Sequence, residues 1–452
     1  MCTFENGNQT PCPTYSLYLL TLGCDKNRVD GEVMLGRLIS TGVFSPVDDP
    51  AIANIIIVNT CGFIREATQE SIDTILEMAE YRTNPKTPCR GLIITGCMSE
   101  RYREETKAEI PEADAILGVK DADSIVKAVA DVLGIEVEAG SGNPRVKSSP
   151  YVHNRHIAHI KISDGCDNAC TYCTIPSIRG AYISRPIEEI LEECRLLSHA
   201  REFVLVAQDT ALYGFDLYGE PRLHKLMKLI AELPNRPRVR LMYAYPEHIT
   251  PEIVKVIAET PNVCKYIDLP IQHSETEILR RMGRKSSRET LLTLINNLRE
   301  EIPDIALRTT LMVGFPGETT GNFQGLYDFV KKVKFDRLGV FPYSQEEGTP
   351  AAALPKQVGQ TTKFNRLEKL MELQQGIHHE KQTAKIGKTI DVIVDEIRED
   401  DFIGRTEHDA YEVDAVVCFT APQDFQLNPG DIVKVTIYSA DDYDLQGVLA
   451  TS

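Results

Sequence analysis

The chain has 452 residues, of which 42% are hydrophobic and 25% are charged, and its formal net charge is −17. This length predicts two to three domains. The net negative charge argues against a protein that binds the phosphate backbone of a nucleic acid over a wide surface. It would suit a basic protein partner. Residues 1–13 are polar and apolar runs such as 55–58 are far shorter than a membrane span, so we expect a cytoplasmic protein without a signal peptide or membrane segment.

The amino-terminal part, residues 14–137, alternates predicted strands with predicted helices. Strands are predicted at residues 16–22, 53–58 and 91–95, and helices near 28–39, 66–81, from 99 onward and at 122–133. This alternation predicts a doubly wound α/β domain with a mostly parallel sheet.

A cysteine follows each of these three strands: Cys24, Cys61 and Cys97. Because the carboxyl ends of parallel strands meet at one edge of a sheet, we expect the three thiols to converge there, where open α/β sheets bind ligands. The alternative is that they are small buried hydrophobic residues. Six other cysteines lack this placement and are predicted to be structural: Cys2, Cys12, Cys89, Cys194, Cys264 and Cys418.

Residues 138–150 are rich in Gly, Ser and Pro, which predicts a linker and a domain boundary. Residues 151–380 then predict six strand and helix units, with strands at 156–162, 202–207, 239–243, 265–269, 306–313 and 337–341. Such a series indicates a partial or open βα barrel with its chemistry at the carboxyl ends of the strands. A long helix is predicted at the end of this region, at residues 361–384.

The loop after the first of these strands carries Cys166, Cys170 and Cys173. Three thiols are one too few for a closed tetrahedral zinc site. Bound to three irons of a 4Fe-4S cluster, they would leave the fourth iron open for substrate. The alternative is a zinc site completed by a nearby histidine, namely His153, His156 or His159.

Residues 381–452 change to short β patterns, which predict a small antiparallel β barrel. This region contains six basic and fifteen acidic residues. Its net charge is therefore negative, whereas an RNA-binding module is expected to be positively charged. The expected fold class is therefore α/β, with an amino-terminal doubly wound domain, a central partial βα barrel and a carboxyl-terminal β barrel.

Several motifs together resemble the radical S-adenosylmethionine (SAM) methylthiotransferases. They are Leu22-Gly23-Cys24-Asp25-Lys26-Asn27, Asn59-Thr60-Cys61-Gly62-Phe63-Ile64, Thr95-Gly96-Cys97, the three-cysteine loop running on to Ile178-Arg179-Gly180, and Val313-Gly314-Phe315-Pro316-Gly317-Glu318-Thr319. The resemblance spans essentially the whole chain. It implies a cluster domain at 14–137, a radical SAM domain at 151–380 and a TRAM-like domain at 381–452.

Within this family, the chain resembles the branch that modifies an aspartate of ribosomal protein S-twelve. Two sequence motifs distinguish this branch from the other: Gly-Cys-Asp-Lys-Asn around Cys24 and Cys-Gly-Phe-Ile from Cys61 onward. The alternative is the branch that modifies adenosines of transfer RNA, and the acidic terminal region argues against it. Asp25 and Gly31 depart from the family pattern, and neither is a cluster ligand in it.

The resemblance implies two 4Fe-4S clusters and SAM as cofactors. Cys166, Cys170 and Cys173 would hold the catalytic cluster that cleaves SAM, with an electron from an external donor. Cys24, Cys61 and Cys97 would hold a second cluster that carries the sulfur. Attack on an unactivated carbon requires a radical because such a C–H bond is not acidic enough for a side-chain base.

SAM must also be held by its amino acid end, and three polar residues at strand ends are candidates. We expect Gln208, Asp209 and Arg308 to contact its amino and carboxylate groups, although each of them also suits a plain strand-end role. His273 is an acid–base candidate that we interpret as structural. The turn at residues 314–318 is a weak signal for an adenine contact.

A hypothesis from another class is an iron–sulfur electron carrier or RNA-binding scaffold without catalysis. Such a protein would bind iron but form no 5′-deoxyadenosine from SAM and a reductant. The sequence alone leaves this alternative open.

Overall fold

The computed structural model describes residues 15–151, 155–422 and 425–450, so Cys2, Cys12 and His153 lie outside the described residues. The chain divides into two units. The first comprises Met1–Arg155, Gly165–Asp167 and Cys173–Ala181, and the second comprises His156–Asp164, Asn168–Tyr172 and Tyr182–Ser452.

The first unit contains a five-stranded parallel sheet of order β2-β1-β3-β4-β5. Its strands are β1 Tyr15–Thr21, β2 Phe44–Pro46, β3 Ile55–Thr60, β4 Gly91–Gly96 and β5 Ala115–Ile116. Its helices are α1 Asp25–Ser40, α2 Arg65–Thr83, α3 Cys97–Arg101, α4 Arg103–Glu109, α5 Ile125–Leu133, α6 Pro144–Ser148 and α7 Ile175–Arg179. The predicted doubly wound domain is confirmed.

Strand β3 is buried along its whole length because helices cover both faces of the sheet. Ile56 and Val58 belong to one apolar cluster with Ile75 of α2. Ile55 and Ile57 point the other way, into a cluster shared with α1 and α5. The continuous apolar run of this strand follows from burial on both faces.

The second unit begins with a six-stranded parallel sheet of order β6-β9-β10-β11-β12-β13. These strands are β6 Ile157–Lys161, β9 Glu202–Val206, β10 Arg238–Leu241, β11 Val263–Asp268, β12 Ala306–Val313 and β13 Arg337–Pro342, with a small hairpin formed by β7 Ser163–Asp164 and β8 Ile183–Ser184. The helices are α8 Ile187–Leu196, α9 Phe215–Tyr218, α10 Leu223–Ala231, α11 Pro251–Glu259, α12 Thr276–Arg281, α13 Arg288–Glu301, α14 Thr320–Val333 and α15 Gln360–Thr383. The predicted partial barrel is confirmed.

The carboxyl-terminal part of the second unit is a closed five-stranded barrel of order β14-β15-β16-β18-β17. Its strands are β14 Thr389–Ile397, β15 Phe402–Arg405, β16 Val417–Thr420, β17 Ile432–Ala440 and β18 Leu445–Leu449. Four neighbouring pairs are antiparallel, as expected, and the pair of β16 with β18 is parallel.

The residues predicted as a linker, 138–150, contain the short helix α6. Asn143 caps this helix by accepting a hydrogen bond from the Arg145 amide at 2.9 Å, and Pro144 occupies the first helical position. The domain limits drawn from the sequence stay predictions. Of the helices in the described part of the chain, none combines the length and apolar character that a bilayer crossing requires.

A buried carboxylate ties the closed barrel to the six-stranded sheet. Glu202, the first residue of β9, is fully buried and lies 2.6 Å from Arg240 Nε and 3.2 Å from Arg405 Nη2. Arg405 also contacts Asp395 of β14 at 2.6 Å. Burial alone would raise the pKa of the Glu202 carboxyl, but the guanidinium groups of Arg240 and Arg405 outweigh it and hold the pKa well below its usual range. Glu202 is therefore ionised and compensates two buried cations.

Replacing Glu202 by glutamine should lower the urea midpoint of unfolding strongly, because it leaves two buried guanidinium groups short of a counter-charge. We expect a loss of about 3 kcal/mol in the free energy of unfolding. Glu220→Gln is the matched control, since its surface pairs with Arg222 and Lys225 should contribute little. Equal midpoints for the two variants would contradict this interpretation.

The same comparison has a pH dependence of defined sign. Because folding lowers the pKa of Glu202, its contribution is complete above the unfolded pKa of about 4.3 and is lost as pH falls toward the folded value. The stability difference between the wild type and Glu202→Gln should therefore shrink below about pH 4.

Candidate functional site

The carboxyl edge of the amino-terminal sheet carries the first cysteine triad. Cys61 directly follows β3, Cys97 directly follows β4, and Cys24 comes three residues after the end of β1. These strands are neighbours in the order β1-β3-β4, so the three thiols stand at one edge. Cys24 is exposed, Cys61 is half-buried and Cys97 is buried.

The three thiols lie within electrostatic reach of one another. The pKa of the Cys97 thiol is raised to about 11, chiefly by burial and in smaller part by the sulfurs of Cys24 and Cys61. The pKa of Cys61 is also raised, chiefly by burial and in part by Cys24. Cys61 and Cys97 therefore resist ionisation, and they are suited to a group that supplies positive charge, as metal ions do for thiolate ligands.

Glycine is required beside Cys24 because the chain passes close to Cys61. Gly23 has φ +88°, and a Cβ built on it would lie 2.9 Å from the Sγ of Cys61. A side chain at this position would be strained and would also press on a candidate ligand.

The backbone of Cys61 is held by a buried serine of α2. Ser71 donates a hydrogen bond to the Cys61 carbonyl at 2.8 Å and accepts one from the Cys61 amide at 3.0 Å. Ser71 is fully buried. Sequence reasoning missed this residue because its only signal was a polar side chain on the inner face of a predicted helix.

A buried arginine supplies positive charge next to this triad. Arg179, at the end of α7, donates a hydrogen bond to Cys97 Sγ at 3.4 Å and lies 2.9 Å from Asp30 Oδ2. Its charge lowers the pKa of Cys97, against the larger effect of burial. Arg179 belongs to the Ile178-Arg179-Gly180 end of the sequence motif, but the sequence alone predicted no role for it.

In the first unit, the central loop contributes Cys166 and Cys173. Cys166 is buried and its amide donates to the Gly180 carbonyl at 3.1 Å. The Cys173 sulfur accepts a hydrogen bond from the Ile175 amide at 3.5 Å, at the start of α7. Gly165 has φ +76°, and a Cβ there would lie 2.0 Å from the Ala181 carbonyl oxygen.

In the second unit, Cys170 lies beside a half-buried tyrosine, Tyr245, and a buried arginine, Arg284. Its Sγ is 3.4 Å from the hydroxyl of Tyr245. The guanidinium of Arg284 lies 3.7 Å from the centre of the Tyr245 ring, and Arg284 also donates to the Pro270 carbonyl at 2.7 Å. Burial raises the pKa of Tyr245, so this hydroxyl stays protonated and can donate to a thiolate. Arg284 was not singled out from the sequence.

Gln208 and Asp209 follow β9 and face the same loop. Asp209 is fully buried, and its Oδ2 accepts a hydrogen bond from Asn168 at 3.1 Å and lies 2.6 Å from His248 Nδ1. Gln208 donates to Asp164 at 3.0 Å. Gln208 Oε1 and Asp209 Oδ1 are buried and accept no hydrogen bond from the described residues. Two free acceptor oxygens suit an ammonium group such as the amino group of SAM.

Arg308 is engaged in a different set of contacts. Its Nη1 donates to Asp268 at 2.9 Å, and its Nε lies 3.4 Å from Asp414, which belongs to the loop between β15 and β16. Two carboxylates already compensate this guanidinium. A role in binding the SAM carboxylate therefore stays a prediction with less support than the roles of Gln208 and Asp209.

His273 is fully buried, and burial lowers its pKa to about 3, with the charges of Arg366 and Arg288 acting in the same direction. The imidazole is therefore neutral at ordinary pH, which agrees with the structural interpretation. Glu318 accepts hydrogen bonds from the Gly314 amide at 2.6 Å and from Arg366 of α15 at 2.8 Å. The turn at residues 314–318 thus connects β12 to the long helix.

The zinc alternative depends on histidines near the central loop. His156 precedes β6, and its Nε2 lies 2.9 Å from Asp395 Oδ1 at the amino-terminal end of that strand, whereas the cysteine loop follows the carboxyl end. Within residues 15–151, 155–422 and 425–450, no three His, Cys, Asp or Glu side chains converge tightly enough for a single ion. A 4Fe-4S cluster makes a weaker demand because each thiolate binds a different iron.

Comparison with known families assigns the three parts of the chain. Residues 160–330 match the radical SAM superfamily, residues 16–118 match the uncharacterized protein family UPF0004, and residues 386–449 match the TRAM domain. A solved radical SAM methyltransferase, TsrM from Kitasatospora setae, shares the fold, with a TM-score of 0.53, 13% identity and coverage of 75% of this chain and 74% of that one.

Full-length relatives are much more similar in sequence. The ribosomal protein uS12 methylthiotransferase RimO of Desulforamulus reducens is 45% identical over 450 residues, covering 96% of this chain and 99% of the relative. The protein of the same name from Clostridioides difficile is 45% identical over 441 residues, covering 95% and 97%. Because this similarity extends across all three parts of the chain, the protein belongs to the radical SAM methylthiotransferase family, in the group of ribosomal protein uS12 methylthiotransferases.

Proposed function

We propose that this enzyme attaches a methylthio group to the β-carbon of an aspartate in ribosomal protein uS12. The observation that carries the proposal is the 45% identity to a uS12 methylthiotransferase over 96% of the chain. The convergence of Cys24, Cys61 and Cys97 at one sheet edge supports it, because the reaction needs a site for sulfur apart from the site for SAM.

The two cysteine triads fit 4Fe-4S clusters, since each supplies three thiols and leaves one iron free for another ligand. When bound, the cluster on Cys166, Cys170 and Cys173 supplies the electron for cleavage of SAM, and the cluster on Cys24, Cys61 and Cys97 supplies the sulfur. An external protein or small reductant must deliver that electron.

Residues of this chain prepare the thiolates for these ligand roles. Arg179 donates to Cys97 Sγ and so stabilises its charge in a buried place. The Tyr245 hydroxyl is positioned to donate to Cys170 in the same way. Asp209 fixes the cysteine loop through Asn168, and its second oxygen remains available to the amino group of SAM.

The charge of the chain favours a basic protein over a nucleic acid as substrate. A net charge of −17 would attract a basic ribosomal protein at long range and would repel the phosphates of transfer RNA. The terminal barrel strengthens this argument, because residues 381–452 hold six basic and fifteen acidic side chains. Transfer RNA remains the alternative substrate, and a carrier without catalysis remains the alternative of another class.

Replacing one cysteine should have a different effect on activity in each of the two triads. Cys166→Ala should abolish both formation of 5′-deoxyadenosine and modification of uS12, because both depend on SAM cleavage. Cys24→Ala should retain 5′-deoxyadenosine formation and lose only the methylthio product. Cys264→Ala, a buried cysteine of β11, is the control and should keep both activities. An active Cys166→Ala enzyme would refute the assignment.

The positive charge of Arg179 should help the triad of Cys24, Cys61 and Cys97 to retain iron. Arg179→Leu removes the cation between Cys97 and Asp30, and we expect it to retain only about half of the wild-type iron after anaerobic gel filtration, as if one of two clusters were lost. Arg179→Lys should retain most of the iron because the charge persists. Equal retention by Arg179→Leu and the wild type would show that this contact does not support the cluster.

Substrate choice can be tested by mass spectrometry of products. With SAM and a reductant under anaerobic conditions, uS12 should gain the mass of a methylthio group and transfer RNA should not. The association rate with uS12 should fall as salt is raised, because salt screens the attraction between opposite charges. Modification of transfer RNA alone would overturn the substrate proposal, and a rate independent of salt would overturn its electrostatic basis.

A further inference from the structure

A cationic cleft lies at the amino-terminal edge of the six-stranded sheet, the edge opposite to the carboxyl ends where the cysteine loop begins. Its volume is about 850 Å³, and it is lined by residues that precede or begin β10, β11, β12 and β13, by the end of α15 and by the first residues of β14. The proposed reaction uses none of these residues.

The side chains that line the cleft have a net positive charge, although the protein as a whole is strongly negative. Six arginine or lysine side chains line it against four carboxylates: Arg236, Arg238, Arg299, Lys381, Lys385 and Lys388 against Asp304, Asp336, Asp391 and Glu407. The chain as a whole has a formal charge of −17. A local excess of cations in this setting requires an explanation.

The carboxylates of the cleft are mostly used in contacts with other groups. Asp336 accepts from Lys381 at 2.6 Å, Asp391 accepts from Lys434 at 3.0 Å, and Glu407 accepts from the Lys265 amide at 3.0 Å. Only the first of these contacts neutralises a cation that lines the cleft.

Arg238 is a second sign that the cleft is short of negative charge. This residue is 9% exposed, and its Nη1 is buried and donates to no group among the described residues. A buried guanidinium nitrogen without an acceptor is costly. Burial also lowers the pKa of Lys385; the charges of Arg337 and Lys381 act in the same direction, and those of Asp409 and Asp336 oppose it. An anion in the cleft would lower the electrostatic cost of both charges.

We propose that this cleft binds a small molecule that carries phosphate groups. Arginine and lysine together are the residues that recognise phosphate oxygens, and a volume of about 850 Å³ lies within the usual range for small-molecule sites. A nucleic acid strand fits less well, because its further phosphates would meet a chain with a net charge of −17. This site is separate from methylthio transfer and gives the enzyme a means to sense a phosphorylated metabolite.

The test is isothermal titration of the full-length protein with inorganic pyrophosphate and, in a second arm, with ADP. We expect saturable binding with one site per chain. The double variant Lys385→Ala/Lys388→Ala should weaken it about tenfold or more, because each lost charged contact is worth roughly that factor. Lys255→Ala, an exposed lysine of α11 outside the cleft, is the control and should bind as the wild type does.

The two arms separate the sources of the phosphate chemistry. Equal affinity for both ligands assigns recognition to the phosphate groups alone, and tighter binding of ADP assigns it to a nucleotide. Absence of saturable binding in both arms would overturn the proposal, as would unchanged affinity in the double variant. Displacement of pyrophosphate by a single-stranded RNA of twelve nucleotides would overturn the choice of a small molecule. Circular dichroism of each variant verifies that it is folded.

Discussion

The placement of the candidate site residues depends on the parallel arrangement of strands within each sheet. Parallel strands end at the same edge, so residues far apart in sequence are brought together whenever each follows a strand. Cys24, Cys61 and Cys97 are separated by more than thirty residues and still meet in this way. The fold therefore supplies the spacing of these cysteines, and local turns such as the one at Gly23 bring the backbone close to Cys61.

Placing thiols in buried positions creates an electrostatic cost that other residues offset. Cys97 is buried and its pKa is raised to about 11, so it ionises only with help from a nearby cation or a metal. Arg179 provides such help and is itself balanced by Asp30. The same principle governs Glu202 between Arg240 and Arg405, where the closed barrel joins the six-stranded sheet. Compensated buried charge thus recurs in both units.

The sequence predicted the parts of this architecture that are coded locally. Strands, helices and the cysteines that follow them could be predicted because periodicity and turn residues act over a few positions. Arg179, Ser71 and Arg284 could not, because their partners lie far along the chain or depend on which helix face is buried. Arg308 illustrates the same limit: its pairing with Asp414 joins residues more than one hundred positions apart. The parallel pair in the closed barrel was likewise not visible in strand patterns.

We expect each of the two cysteine triads to hold a cluster with one open iron. The most direct measurement is a count of iron, sulfide and zinc per chain in anaerobically reconstituted protein. The account predicts about eight irons with a similar amount of sulfide and no stoichiometric zinc. A single zinc per chain, or about four irons that persist unchanged when Cys24, Cys61 and Cys97 are all replaced by alanine, would contradict it.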